Sequence, residues 1–208
     1  MAKDNVSIAN LALSRIGISA KIASFDERSK EAIEINAVFD EVRERVLSAA
    51  PWPFARKVAT LQKTGSTPYR FAYRYAYPAD CLKIRKLLPE YPAGQSPEGF
   101  RTWLRTTPIR YELETDSTGQ LTICTDEDIA SVEYTLRITD PTRYDAKFTG
   151  AFAWALATEI SLPLAKTLDF SKNAAAAYEK EIAEAISLAM NEEKVDDNPD
   201  SEFVRARY

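Results

Sequence analysis

The apolar residues of this chain change period twice, and that most narrows what it can fold into. Ala32, Ile35, Phe39, Val42, Val46 and Ala49 step by three and four, the spacing of one face of an α-helix. Further on, Tyr69, Phe71, Tyr73, Tyr75 and Tyr77 alternate with Arg70, Ala72, Arg74 and Ala76, which is strand spacing. The helical step then returns through Phe148, Phe152, Ala155, Leu156 and Leu162. Helices first and last with strands between them read as α+β. The expected arrangement is a four-helix bundle with an antiparallel β-domain inserted between helices two and three, followed by an extended C-terminal tail. The boundaries that follow are 1–57 and 141–190 for the bundle, 58–140 for the insertion and 191–208 for the tail.

Local signals give the elements their expected ends. Ile8, Leu11, Ala12 and Ile16 recur at helical spacing, and Gly17 stands where a left-handed residue closes a helix. Ser24-Phe25-Asp26-Glu27 has capping-box spacing, with Ser29 as a rival start for the long second helix. That helix spans about five turns, roughly 30 Å, and Pro51 and Pro53 end it. Its outer face offers ion pairs between Asp40 and Arg43 and between Glu41 and Arg45. Shorter strands are expected over Cys81–Leu88, Phe100–Arg105, Ile109–Glu114, Leu121–Thr125 and Val132–Ile138. The turn-forming residues between them include Asp116-Ser117-Thr118-Gly119, and a long loop is expected near 90–99. Pro163 should end or kink the third helix. Ser171 can cap the fourth, whose inner face would carry Ala175, Tyr178, Ile182, Ala185 and Ala189.

Composition narrows the chemistry more than the fold. The 208 residues include no histidine, which removes Ser-His-Asp and Cys-His catalysis and histidine-ligated metal. Two cysteines, Cys81 and Cys124, make neither a disulfide framework nor a zinc site and read as buried thiols. No glycine-rich phosphate loop occurs. Asp126-Glu127-Asp128 clusters oxygens without the spacing of a calcium loop and reads as an acidic turn. Glu159 lies on or beside the apolar stripe of the third helix, where a carboxyl can be partly buried. It is the residue to name for carboxylate-based hydrolysis, set against a boundary residue paired with Lys or Arg. The run from Tyr69 to Tyr77 resembles a stacking platform for single-stranded nucleic acid, except that rings and arginines fall on opposite faces. A net charge of −4 also argues against wrapping nucleic acid. No apolar run reaches the roughly 18 residues that span a bilayer. Asp4, Asn5 and Ser7 stand where a signal peptide would be apolar, so the expected location is the cytosol or a particle assembled there. The expected protein is not an enzyme and has no cofactor, metal or catalytic residue.

Four stretches in order carry a family resemblance. They are Asn10-Leu11-Ala12-Leu13-Ser14-Arg15-Ile16-Gly17; Arg45 to Lys57 with its Pro51-Trp52-Pro53-Phe54 core; Tyr75-Ala76-Tyr77-Pro78-Ala79-Asp80-Cys81-Leu82-Lys83-Ile84; and Tyr134 to Asp140 leading into Tyr144 and an alanine-rich helix. Together they cover residues 5 to about 190. The order is similar to that in the head-to-tail adaptors of short-tailed bacteriophages, the tail tubular protein A or packaged-DNA stabilisation family. The resemblance implies a virion protein of the phage neck, assembled in the host cytoplasm as a dodecameric ring under the portal. It implies contacts with the portal ring and with the tail nozzle or tail tube protein. DNA would pass through the channel without sequence-specific binding, and no membrane is involved. The resemblance also implies a part in retaining packaged DNA.

Two roles follow from chemistry alone. Trp52 and Phe54 should anchor the chain leaving the second helix, and Asp80 should bond the turn begun by Pro78. The polar tail ends in Phe203, Val204, Arg205, Arg207 and Tyr208, residue types enriched at interface anchors, and reads either as a frayed chain end or as an arm for the portal or a neighbouring subunit. A peptidoglycan hydrolase carried by the virion and a nucleic-acid-binding module are the alternative readings.

Overall fold

A computed structural model describes residues 4–65, 68–90, 108–165 and 168–192. It is an α+β protein with four helices and two small antiparallel sheets among the described residues. The order is α1 (Asn5–Arg15), α2 (Lys30–Ala49), β1 (Arg56–Thr60), β2 (Tyr73–Ala76), β3 (Cys81–Pro89), β4 (Tyr111–Thr115), β5 (Leu121–Thr125), β6 (Ala130–Leu136), α3 (Ala146–Ala165) and α4 (Leu168–Glu192). The strand expected over Phe100–Arg105 and the loop near 90–99 lie outside the described residues, as does the tail from 193 onward.

The first helix starts and stops as its residues dictate. Asp4 accepts from the Ser7 amide, and Gly17 takes φ +76°. Ile18 N–H bonds the Leu13 carbonyl at 3.0 Å and Gly17 N–H bonds the Ser14 carbonyl at 3.1 Å, the Schellman pattern. The second helix starts at the rival cap, with the Ser29 hydroxyl accepting from Ala32 N–H. Glu27 does not cap a helix. Its carboxylate holds the amides of Ala23 and Ser24 in the preceding turn instead.

Helix α3 is the centre of the helical core. Phe148, Phe152, Ala155 and Leu156 are buried there with Ile160, against Ile35, Phe39, Val46 and Leu47 of α2 and Ala9, Ala12 and Leu13 of α1. Phe148 is the hub of an aromatic cluster. Its ring centroid lies 4.6 Å from Tyr144, 5.2 Å from both Trp52 and Phe54, and 5.7 Å from Phe152.

Several expectations are corrected here. Leu162 leaves the buried stripe and is half exposed. Pro163 does not stop the helix, which ends two residues later at Ala165. Ser171 sits inside α4, which begins at Leu168, so it is no cap. On α4, Ala174, Ala185 and Ala189 are buried, with Tyr178 and Ile182 packed at the margin. At 20 residues with mean hydropathy 1.2, α3 is long and apolar enough to cross a bilayer, contrary to the reading from apolar runs. Half of that stretch is buried within the protein, as in a core helix.

The sheets pair in the orders β1-β6-β3 and β2-β5-β4, antiparallel throughout. Tyr75 and Ile123 from one sheet meet Leu87, Val132 and Tyr134 from the other in a second, smaller core. The β4–β5 hairpin turns at Asp116, whose carboxylate accepts from the amides of Thr118 and Gln120 while Gly119 takes φ +84°. The Tyr69–Tyr77 alternation overran its strand, since only Tyr73–Ala76 is paired and Tyr69 is fully exposed. β1 had no strand signal in the sequence and crosses the expected boundary at 57/58.

Candidate functional site

The helical and sheet parts meet at the C-terminal end of α2. A helix end leaves its last carbonyls without intrahelical partners, and they carry the negative end of the helix dipole. Here two cations of β3 take them up. Arg85 donates from Nη2 to the carbonyls of Ala50 (2.6 Å), Ser48 (3.2 Å) and Leu47 (3.3 Å), and its Nε donates to Thr135 Oγ1 (2.7 Å). Lys83 Nζ adds a bond to the Ser48 carbonyl at 3.1 Å. Trp52, buried, turns back so that its Nε1 donates to the Val46 carbonyl at 2.8 Å. Leu136 of β6 packs into both cores.

Beside this joint lies a cavity of about 260 Å³. Pro51, Trp52 and Pro53 wall one side, Arg56, Arg85, Glu133 and Thr135 supply polar groups, and Ala189 of α4 closes another side. Glu133 is buried on the central strand and accepts from Arg56 Nη2 at 2.8 Å, with Lys86 Nζ at 3.4 Å. Burial pulls the Arg85 guanidinium below its ordinary pKa and Glu133 opposes that shift.

The residues named from the sequence are placed as follows. Glu159 pairs with Arg45 at 2.5 Å with both side chains well exposed, so it is a surface ion pair rather than a buried acid. Arg45 therefore does not join the expected partner Glu41, whereas Arg43 does meet Asp40 at 2.7 Å. Of the Tyr-rich strand, Tyr75 is buried and its hydroxyl is shared between the carbonyls of Glu127 and Asp128. Arg74 pairs with Glu114 at 2.8 Å and Arg70 with Glu112 at 3.8 Å, so carboxylates of β4 already answer the arginines. Asp126 accepts from Ala72 N–H and Asp128 from Lys63, a turn held by its own chain. Cys81 and Cys124 are buried and free, and burial pushes both thiols up in pKa. Among the described residues no three ligands gather for a metal. Phe203, Val204, Arg205, Arg207 and Tyr208 lie outside the described residues.

The motif residues do structural work. Arg15 lies 4.1 Å over the Trp154 ring and donates to the Gly150 carbonyl, fixing α1 on α3. Asn10 exchanges two bonds with the backbone of Ile22. The Asp80 carboxylate accepts chiefly from outside the turn begun by Pro78, from Lys57 Nζ (2.6 Å) and the Tyr134 hydroxyl (2.7 Å), with its own backbone N–H a smaller contributor. Lys57 first, then Tyr134, hold that carboxyl below its usual range. A depressed carboxyl stabilises the fold above its unfolded pKa, and that contribution fades as pH falls through the folded value. Asp80→Asn therefore costs under about 1 kcal/mol near neutral pH, because both ends of the ion pair are largely exposed. The gap to the parent protein narrows as pH falls below about 4. Urea unfolding across that range checks it, and a gap that stays constant would contradict it.

Arg85 and Glu133 were not singled out from the sequence. A buried Glu between Val132 and Tyr134 was the available signal, since a strand buried on both faces keeps a carboxylate only with partners. No known protein family and no curated protein matches this chain.

Proposed function

We propose that this protein is a structural connector, a head-to-tail adaptor of a bacteriophage virion that forms a ring under the portal and helps retain packaged DNA. In this reading residues 1–57 and 141–190 form the four-helix bundle and 58–140 the inserted β-domain. Residues 191–208 form an arm whose Phe203, Val204, Arg205, Arg207 and Tyr208 meet the portal or a neighbouring subunit. The supporting observation is the joint at Arg85. A connector must hold its contact surfaces in fixed relation, and a guanidinium bonded to three carbonyls of one element while anchored on another does that.

The far end of the helices supplies a second surface. Lys30, at the start of α2, donates to the Pro163 carbonyl at 2.7 Å. Near it Ile33, Leu162, Leu168 and Phe170 are exposed. A 20-residue helix separates this apolar end from the joint by roughly 30 Å. Exposed apolar residues collected at one end suit contact with another protein. The hydrolase alternative loses support because Glu159 is an exposed ion pair, and the nucleic-acid alternative because Arg70 and Arg74 already face carboxylates. The test is titration of the purified chain onto portal rings of short-tailed phages, read by mass.

A further inference from the structure

We propose that the outer edge of β4 takes up an extended basic segment of a partner protein as a further strand of the β2-β5-β4 sheet. The assignment rests on backbone geometry and does not depend on the connector reading.

An unpaired strand edge is a row of N–H and C=O groups that another chain can complete. The sheet edges of this protein differ in what they offer. β1 carries Arg56 and Lys57, charges of the kind that blunt an edge. β3 is broken by two shifts of register, and its Lys83 and Arg85 are bonded to carbonyls at the end of α2. Beside β2, Thr64 N–H bonds the Arg74 carbonyl and Ala76 N–H bonds the Gln62 carbonyl, so the chain after β1 closes that side. β4 pairs with β5 in unbroken register over Tyr111–Thr115 and has no strand on its other side among the described residues.

Two alternations on β4 set what fits there. Asp116 N–H bonds the Gln120 carbonyl. The alternation of an antiparallel ladder then turns the backbone groups of Glu112 and Glu114 toward β5 and those of Tyr111, Leu113 and Thr115 outward. Each outward residue offers a donor and an acceptor, and an extended chain matches their spacing. Side chains alternate as well. Leu113 lies opposite Ile123, which lies opposite Tyr75, and those two are buried in the smaller core. Leu113 continues this apolar row to the edge, where it is 47% exposed. An apolar residue of an added strand would cover it. On the opposite face Glu112 meets Arg70 at 3.8 Å with both side chains open to solvent. A Lys or Arg next to that apolar residue would face Glu112. A second copy fits worse. Two β4 strands paired antiparallel about Leu113 set Glu112 against Glu114 on both sides of it, and like charges directly opposite destabilise a sheet.

Amide hydrogen exchange in the full-length protein tests the assignment. The probe is a blocked peptide of alternating lysine and valine, about eight residues long. At about 1 mM peptide, exchange at Leu113 and Thr115 should slow about tenfold, which corresponds to a Kd of about 0.1 mM. A glutamate–valine peptide should have little effect. Leu113→Pro removes an outward N–H and no bond to β5, so it should keep the fold and lose the peptide. The lysine peptide N-methylated throughout should also fail, and that arm needs no change in the protein. No slowing with the lysine peptide overturns the inference, as does equal slowing with the glutamate peptide or undiminished slowing with the methylated one. Slowing that appears when the protein alone is concentrated overturns it too, because a second copy would then fill the edge.

Discussion

Phe148→Ala lowers the stability of the protein by about 3–5 kcal/mol, the usual cost of removing a fully buried phenylalanine. For a chain of this length that is a fall of about 6–20 °C in Tm. The ring is fully buried and contacts Trp52, Phe54, Tyr144 and Phe152 at once. Its loss empties the point where α3, the exit from α2 and the Tyr144 turn converge. Tyr144 reports on the same site. Its hydroxyl donates to the Ile138 carbonyl at 3.1 Å, and burial pushes its pKa up to about 12. Leu162→Ala, from the same apolar stripe of the sequence, should cost no more than about 0.5 kcal/mol because that side chain is half exposed. Thermal unfolding of the two variants side by side is the check. Equal losses would contradict the packing described.

Arg85→Ala should cost about 3 kcal/mol. It removes charge-assisted bonds to three carbonyls at the end of α2, leaves Thr135 without its donor and takes one cation from the buried Glu133. Arg85→Lys should recover less than half of this, because a point ammonium cannot serve Thr135 and the carbonyls together. Arg137→Ala, which breaks the exposed pair with Glu44, should cost under about 1 kcal/mol. The joint also couples the two parts, so its loss should separate the melting of the sheets from that of the helices. Denaturant unfolding followed by far-ultraviolet and tyrosine signals reads both effects. A cost for Arg85→Ala no larger than for Arg137→Ala would contradict a stabilising role for the joint.

What could be read from the sequence depended on whether a signal was local. Gly17, Ser29 and Asp116 act on neighbours two to four residues away, and each stands where its chemistry put it. The α2 stripe was legible because a helix repeats one face regardless of what covers it, although Leu47 and Arg43 are buried beside it. The Tyr69–Tyr77 run misled because a strand needs a partner. β5 is five residues long, and the Ala72 amide bonds the Asp126 carboxylate rather than a ladder. β1 escaped notice because it is an edge strand whose residues are nearly all exposed, with no alternation to see. The joint was the least legible feature. Its bonds join Arg85 to carbonyls 35 to 38 positions away, and backbone carbonyls carry no sequence identity.

The mass of this chain on a portal ring decides whether it is the connector proposed above. The purified protein is titrated onto portal rings from a panel of short-tailed phages, and the mass of each complex is measured as the chain is raised to excess. A connector gives a plateau at a defined number of copies per ring, a dodecamer by the family resemblance, reached at a mass that further protein does not change. Rings and chain that remain separate across the whole panel, or a complex that grows without a plateau, would contradict it.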